Sequence, residues 1–153
     1  MHIRFATIAD IPSLKSLYFD TITNINTQDY NEAQISAWAS TAENIASLEN
    51  KIEEEYFIVS ENDTGIITGF ISLDEQKGYL DVLYVHKDFQ RMGVASMLLK
   101  SLLEKVNQMN IAEITTDASL TAKPFFEKNG FIVIKEQMVV VKGVSMINFK
   151  MKR

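Results

Sequence analysis

Between Tyr79 and Thr116 the hydrophobic period of this chain switches twice, and that switch limits the folds open to it. Tyr79 to Val85 is a β-rich run. A polar loop from His86 to Met92 follows, and Gly93 then opens the strongest helical pattern in the chain. Ala95, Leu98, Leu99, Leu102, Val106 and Met109 fall on one stripe, with Lys100, Glu104, Lys105 and Gln108 facing away. A helix over Gly93 to Met109 is roughly 25 Å long. Ile111 to Thr116 reads as the next strand. Strand, long helix and strand make a crossover unit, so the second strand is expected to pair parallel to Tyr79–Val85.

The segments on either side pair differently. His2 to Thr7 reads as a first strand. Asp10 and Pro12 open a helix that carries Ile11, Leu14, Leu17 and Tyr18 and runs to about Ile22. Asn31 begins a second helical pattern with Ile35 and Trp38 on one face. Thr41 and Asn44, followed by Ile45, Leu48 and Ile52, begin a third. Tyr56–Ser60, Ile66–Leu73 and Tyr79–Val85 are strands joined by short turns, which makes an antiparallel meander. Downstream, Leu120 to Asn129 reads as a helix stopped at Gly130. Phe131–Val141 and Val144–Met151 read as a hairpin turning at Lys142-Gly143. The fold class expected is α+β: three layers, α/β/α, around a mixed and mostly antiparallel sheet with one parallel crossover pair. It is not a doubly wound nucleotide fold.

Composition narrows the chemistry. A chain of 153 residues fits one domain, spanning 1–153. Cysteine is absent, which excludes a disulfide framework, thiolate-held zinc or iron–sulfur, and a Cys nucleophile. His2 and His86 are the only histidines, so no metal site is expected. The net charge of −5 argues against nucleic acid as a partner. The N-terminal segment lacks the pattern of a secretory signal, and no apolar run is long enough to span a bilayer. A cytoplasmic protein with no membrane partner is the expectation.

The most informative segment is the loop before the long helix. The first turn of a helix leaves about four N–H groups unpaired at its positive dipole end. Gly93 and Ala95 remove side-chain bulk there, and Arg91 adds a cation suited to phosphate oxygens. A glycine placed only for tight packing would look the same in isolation. Gln90-Arg91-Met92-Gly93-Val94-Ala95, however, resembles the Gln/Arg-x-x-Gly-x-Gly/Ala motif of the GNAT superfamily of N-acetyltransferases. The resemblance extends to the strand Leu80-x-x-Leu83-x-Val85 and the helix Ala95-x-x-Leu98-Leu99. Ala122 to Phe131, a helix ending in Gly130-Phe131, is similar to that family's second signature.

The resemblance implies an enzyme that moves an acetyl group directly from acetyl-CoA to a primary amine, most simply of a small molecule. In that family the backbone of this loop binds the pyrophosphate of coenzyme A. Transferred here, that role falls to Arg91, Met92, Gly93, Val94, Ala95 and Ser96, with side-chain contacts from Gln90 and Arg91. The preceding strand in the family splays from its parallel neighbour, and the pantetheine arm lies in the gap like an added strand. Leu83, Tyr84 and Val85 are thereby implied as cofactor contacts, and the Val85 N–H as the donor to the thioester carbonyl.

A protonated amine must lose a proton before it attacks, and a Lys-like amine has a pKa of about 10.4. Asp81, which interrupts an apolar strand, is the candidate base; a structural ion pair is the competing reading. His86 flanks the site at the start of a surface loop. Phe126 stands where many members have Tyr as proton donor, and Ser119 where many have a cofactor-contacting Asn. Ser119 is also placed to cap the following helix. A thiol with a pKa near 8.5 can leave as thiolate without a donor. In this fold the helical region and the final hairpin form the acceptor wall, which implies Tyr18, Tyr30 and Trp38 as acceptor contacts; their helical spacing fits core packing equally. Glu53-Glu54-Glu55 reads as a solvated helix end. The alternatives are an acyl-CoA-binding regulatory module with lost chemistry, motivated by Phe126, and a peptide or protein N-acetyltransferase. Homodimerisation is expected through the long Val-rich C-terminal strands.

Overall fold

A computed structural model describes residues 1–153. One seven-stranded sheet runs through it in the order β1-β2-β3-β4-β5-β7-β6. The strands are β1 His2–Phe5, β2 Tyr56–Glu61, β3 Ile67–Asp74, β4 Tyr79–Val85, β5 Thr115–Ser119, β6 Ile132–Val141 and β7 Val144–Lys152. The helices are α1 Ile11–Asn24, α2 Glu32–Ala39, α3 Ile45–Glu54, α4 Val94–Gln108 and α5 Lys123–Lys128. Every strand pair is antiparallel except β4–β5. The expected α+β class with one parallel crossover pair is therefore the observed one. No helix is long and apolar enough to cross a membrane.

Local chemistry explains most boundaries. Asn31 caps α2 by accepting from the Gln34 N–H, while the Gln34 side chain returns a bond to the Asn31 N–H. Asn44 caps α3 through the Ser47 N–H. Arg4 ion-pairs with Asp10 at 2.8 Å and Glu61 at 2.7 Å, which ties β1 to the entry of α1 and holds the Asp10 carboxyl below its ordinary range. Two expectations are corrected. The strand after α4 is not Ile111–Thr116 but Thr115–Ser119. The Ile111 N–H closes onto the Val106 carbonyl, and ladder pairing starts only where Ile114 meets Arg153. The following helix is the shorter Lys123–Lys128, not Leu120–Asn129, because β5 runs on through Ser119.

The two faces of the sheet are covered separately. α4 and α5 pack on one face over a continuous core that includes Ile58, Ile71, Leu80, Leu98, Leu99, Leu102, Phe126, Phe131 and Met151. Leu98, Leu99 and Leu102 are each at most 1% exposed, and full burial of such a side chain stabilises by roughly 1.5–3 kcal/mol. α1, α2 and α3 cover the other face over two smaller clusters, one around Leu14, Leu17, Phe57 and Phe70 and one around Ile22, Tyr30, Ile35 and Met146. Gly69 on β3 sets how closely α4 can approach. A Cβ there would lie 2.8 Å from Val94 Cγ1 and 3.0 Å from the Tyr84 carbonyl oxygen, so only glycine lets the first turn of α4 settle on the sheet.

Candidate active site

The site is built around a defect in β4. Its register against β3 pairs Ser72 with Val82 but Leu73 with Leu80, so Asp81 is an extra residue. The bulge puts Asp81 and Val82 on the α1–α3 face, while Leu80 and Leu83 pack on the α4 face. β4 and β5 pair only at Tyr79–Thr115 and Leu80–Thr116 and then part. The His86 N–H donates to the Thr68 carbonyl at 2.8 Å, which fixes the alternation of the β3–β4 ladder. The N–H groups of Val82 and Tyr84 therefore point at β3, and those of Leu83 and Val85 point into the opening gap. The Val85 carbonyl, on the same edge, accepts from Thr21 Oγ1 at 2.8 Å and Gln90 Nε2 at 2.7 Å. The Gln90 side chain is thus committed to holding the strand end.

The gap leads to the start of α4. Arg91 has φ 58° and Gly93 has φ 82°, both left-handed, and this turns successive N–H groups toward one side. The first bond onto the helix is Met97 N–H to the Gly93 carbonyl at 3.0 Å. The N–H groups of Arg91, Met92, Gly93, Val94, Ala95 and Ser96 find no acceptor within the chain. A Cβ on Gly93 would meet nothing within 4 Å, so the space before these donors is open. Arg91 and Lys87 are exposed and make no ion pair. Val94, 2% exposed, pins the turn to the core. Six free donors beside a cation make an anion site of the kind a pyrophosphate fits.

On the other side of β4 lies a cleft of about 300 Å³, lined by Leu14, Tyr18, Phe70, Asp81, Val82 and Tyr84 among others. The Tyr18 hydroxyl shares a 2.6 Å hydrogen bond with Thr41 Oγ1. The Tyr18 and Tyr84 rings meet edge to face with centroids 4.7 Å apart. Burial holds the Tyr84 phenol well above its ordinary range, so it stays neutral. Asp81 lines the cleft and is ion-paired with Lys51 of α3. Glu55, at the junction of α3 and β2, is a residue that sequence reasoning missed. It accepts from Ser72 Oγ at 2.8 Å, and Ser72 pairs with Val82, next to the bulged Asp81. Burial, then the Asp81 carboxyl, pushes Glu55 up to about 7. Of the run Glu53-Glu54-Glu55, only the last turns inward.

The other candidates are dispersed. Tyr30 is 8% exposed; its hydroxyl donates to the Ile147 carbonyl at 2.8 Å and accepts from the Leu120 N–H at 2.9 Å. It bolts the helical layer to β7 and the end of β5. Trp38 packs edge-on against Tyr30, with centroids 5.4 Å apart. Ser119 Oγ accepts from the Ala122 N–H at 3.0 Å and closes the turn before α5; it is not the expected helix cap, because α5 begins at Lys123 with Ala122 in the cap position. Phe126 is 3% exposed and stacks into the α4-side core, 4.9 Å from Phe131.

A parallel pair that parts beside a bulge and opens onto a helix start rich in free donors can seat a phosphorylated ligand along its gap. Residues 26–153 match the family model for an acetyltransferase (GNAT) domain. An uncharacterised N-acetyltransferase of Escherichia coli K12, YafP, is 37% identical over 143 residues, covering 94% of this chain and 89% of that protein. The chain therefore belongs to the GNAT family of acetyltransferases. A GCN5-related N-acetyltransferase of Rhodopseudomonas palustris superposes with a TM-score of 0.93 at 26% identity, covering 99% of this chain and 94% of that one. The PaiA N-acetyltransferase of Thermoplasma acidophilum, solved in complex with coenzyme A, superposes at 0.80 with 21% identity, covering 99% and 97%.

Proposed function

We propose that this chain is an acetyl-CoA-dependent N-acetyltransferase that acetylates the primary amine of a small molecule. One observation carries the reading. The unpaired N–H groups of Arg91 to Ser96 open onto the gap between β4 and β5, where the Leu83 and Val85 N–H groups also point. Acetyl-CoA, when bound, supplies an activated acetyl thioester. The loop N–H groups and Arg91 hold its pyrophosphate. The Tyr84 segment of β4 offers backbone partners to the pantetheine arm, and the Val85 N–H polarises the thioester carbonyl, a donor role worth about 3–4 kcal/mol in related chemistry. Asp81, in the cleft on the far side of β4, takes the proton from the acceptor amine. The apolar and aromatic walls of Leu14, Phe70, Tyr18 and Tyr84 fit an amine with a compact apolar body. Tyr18 faces this cleft, whereas Tyr30 and Trp38 support it from behind.

Phe126 carries no proton to offer the departing thiolate, which with a thiol pKa of about 8.5 leaves unassisted. The exposed apolar side chains of β6, the sheet edge (Ile132, Ile134, Met138 and Val140), suit pairing with a second copy; light scattering would read that mass. The central test is incubation with acetyl-CoA and an amine panel while following free thiol. Amine-dependent thiol release is expected. Tight coenzyme A binding without such release would replace this reading with a regulatory binding module, and turnover of peptide N-termini alone would redirect it to a peptide acceptor.

A further inference from the structure

We propose that Asp81 and Glu55 form a proton conduit that carries the acceptor's proton along the α3 side of the sheet, from the cleft that holds Asp81 to a neighbouring polar cleft. The inference rests on the acetyltransferase reading above and deepens its proton step. Two clefts meet at this point. The apolar one contains Asp81 but not Glu55. A second, of about 720 Å³, contains Glu55 but not Asp81; its walls are otherwise almost wholly polar, among them Asn44, Ser47, Asn50 and Glu54. Lys51 lines both. The two carboxyls converge on that shared wall: Glu55 follows Lys51 by one helical turn, and Ser72, which donates to Glu55, pairs with Val82 beside the bulged Asp81.

The asymmetry gives the pair a direction. Lys51 is ion-paired with Asp81, and Ser72 Oγ donates to Glu55. Transfer breaks one N–H bond of the acceptor ammonium and forms an O–H bond on Asp81. That proton passes to Glu55, and from Glu55 to water in the polar cleft; Asp81 is left ionised for the next turnover. No electrons change hands, and Lys51 keeps its charge throughout. Two adjacent half-buried carboxyls share one proton readily because ionising both is costly. The elevated titration of Glu55 agrees with that placement. The charged and titratable groups facing Glu55 are Lys51 from α3 and Asp81 and Tyr79 from β4; Glu54, Asp74 and Glu75 line the same polar cleft.

The test uses the full chain in two arms. In the first, carboxyl-carbon NMR follows Glu55 from about pH 4 to about pH 9 in the unliganded protein. Its midpoint is expected near 7 in the natural chain. Asp81→Asn should lower it by about one unit or more, and Ser72→Ala should raise it. In the second arm, with an amine that supports turnover, Glu55→Gln should lower kcat about tenfold and flatten the low-pH limb of the rate profile, with the KM for acetyl-CoA unchanged. Asp81→Asn should cost about a hundredfold. A Glu55 that titrates as an ordinary carboxylate in every variant overturns the conduit, as does a Glu55→Gln enzyme with unaltered rate and profile. Absence of turnover with any amine would instead defeat the acetyltransferase reading, and the first arm would still decide whether the two carboxyls share a proton.

Discussion

The two faces of the sheet solve different problems with different materials. The α4 face is apolar and continuous, with a core of 15 buried residues. Its free polar surface is backbone: six N–H groups at the start of α4 and two more at the edge of β4. The α1–α3 face divides its core into clusters of 6 and 5 buried residues. Between and beside them it holds partly buried polar side chains: Asp81 with Lys51, Glu55 with Ser72, and Tyr18 with Thr41. A backbone site needs only the right local conformation and freedom from bulk, so it sits safely on a rigid core. A side-chain site needs charges and hydroxyls inside the fold. Each of these must find a partner, which breaks the core into pieces.

This contrast can be broken by experiment. The largest effect is expected at Gly93→Asp, where a carboxylate would project into the open space before the free N–H groups. Coenzyme A affinity should fall on the order of a hundredfold, about 2.8 kcal/mol, while the protein stays folded. Isothermal titration beside a melting curve reads both, and unchanged affinity would remove the loop from the site. Next comes Leu102→Ala in the continuous core, at 0% exposure. A loss of about 2–5 kcal/mol of unfolding free energy by denaturant titration is expected, with cofactor affinity intact in the folded fraction.

Tyr30→Phe sharpens the division of labour on the other face. It orphans the Leu120 N–H and the Ile147 carbonyl, so stability should drop by about 1–3 kcal/mol. The acceptor KM should not move; a raised KM with unchanged stability would return Tyr30 to the acceptor wall. The smallest effect is a pH dependence. Glu55 titrates near 7 when folded against an ordinary 4.5, so the folded state binds the extra proton. Its contribution to stability is present at low pH and is lost as pH rises through that window. Melting temperature measured at acid and at mildly alkaline pH should therefore diverge less in Glu55→Gln than in the natural chain.

Much of this was legible in the sequence, for physical reasons that differ by element. β4 matches its expected span, Tyr79–Val85, and α4 differs by one residue at each end because Gly93 and Met109 act as its caps. Both are elements whose period is strong and whose ends are marked by special residues. β5 and α5 were misplaced because their limits depend on where the β7 end and Arg153 arrive, and no local signal records that. Asp81 stood out as a charge in an apolar strand. Glu55 did not, because in a row of three glutamates nothing local distinguishes the one that the α3–β2 corner turns inward.

The sequence by itself determined the crossover, the glycine-marked anion loop and the family, because each depends on residues close together in the chain and on backbone conformation that those residues dictate. The tertiary structure alone decided the fate of the side chains. It used Tyr30, Ser119 and Gln90 as internal fastenings to backbone. It joined Lys51, Glu55, Ser72 and Asp81 from three separate elements into one cluster. Those outcomes depend on burial and on which partners meet across the sheet, and a carboxylate's chemistry is set by that company rather than by its neighbours in sequence.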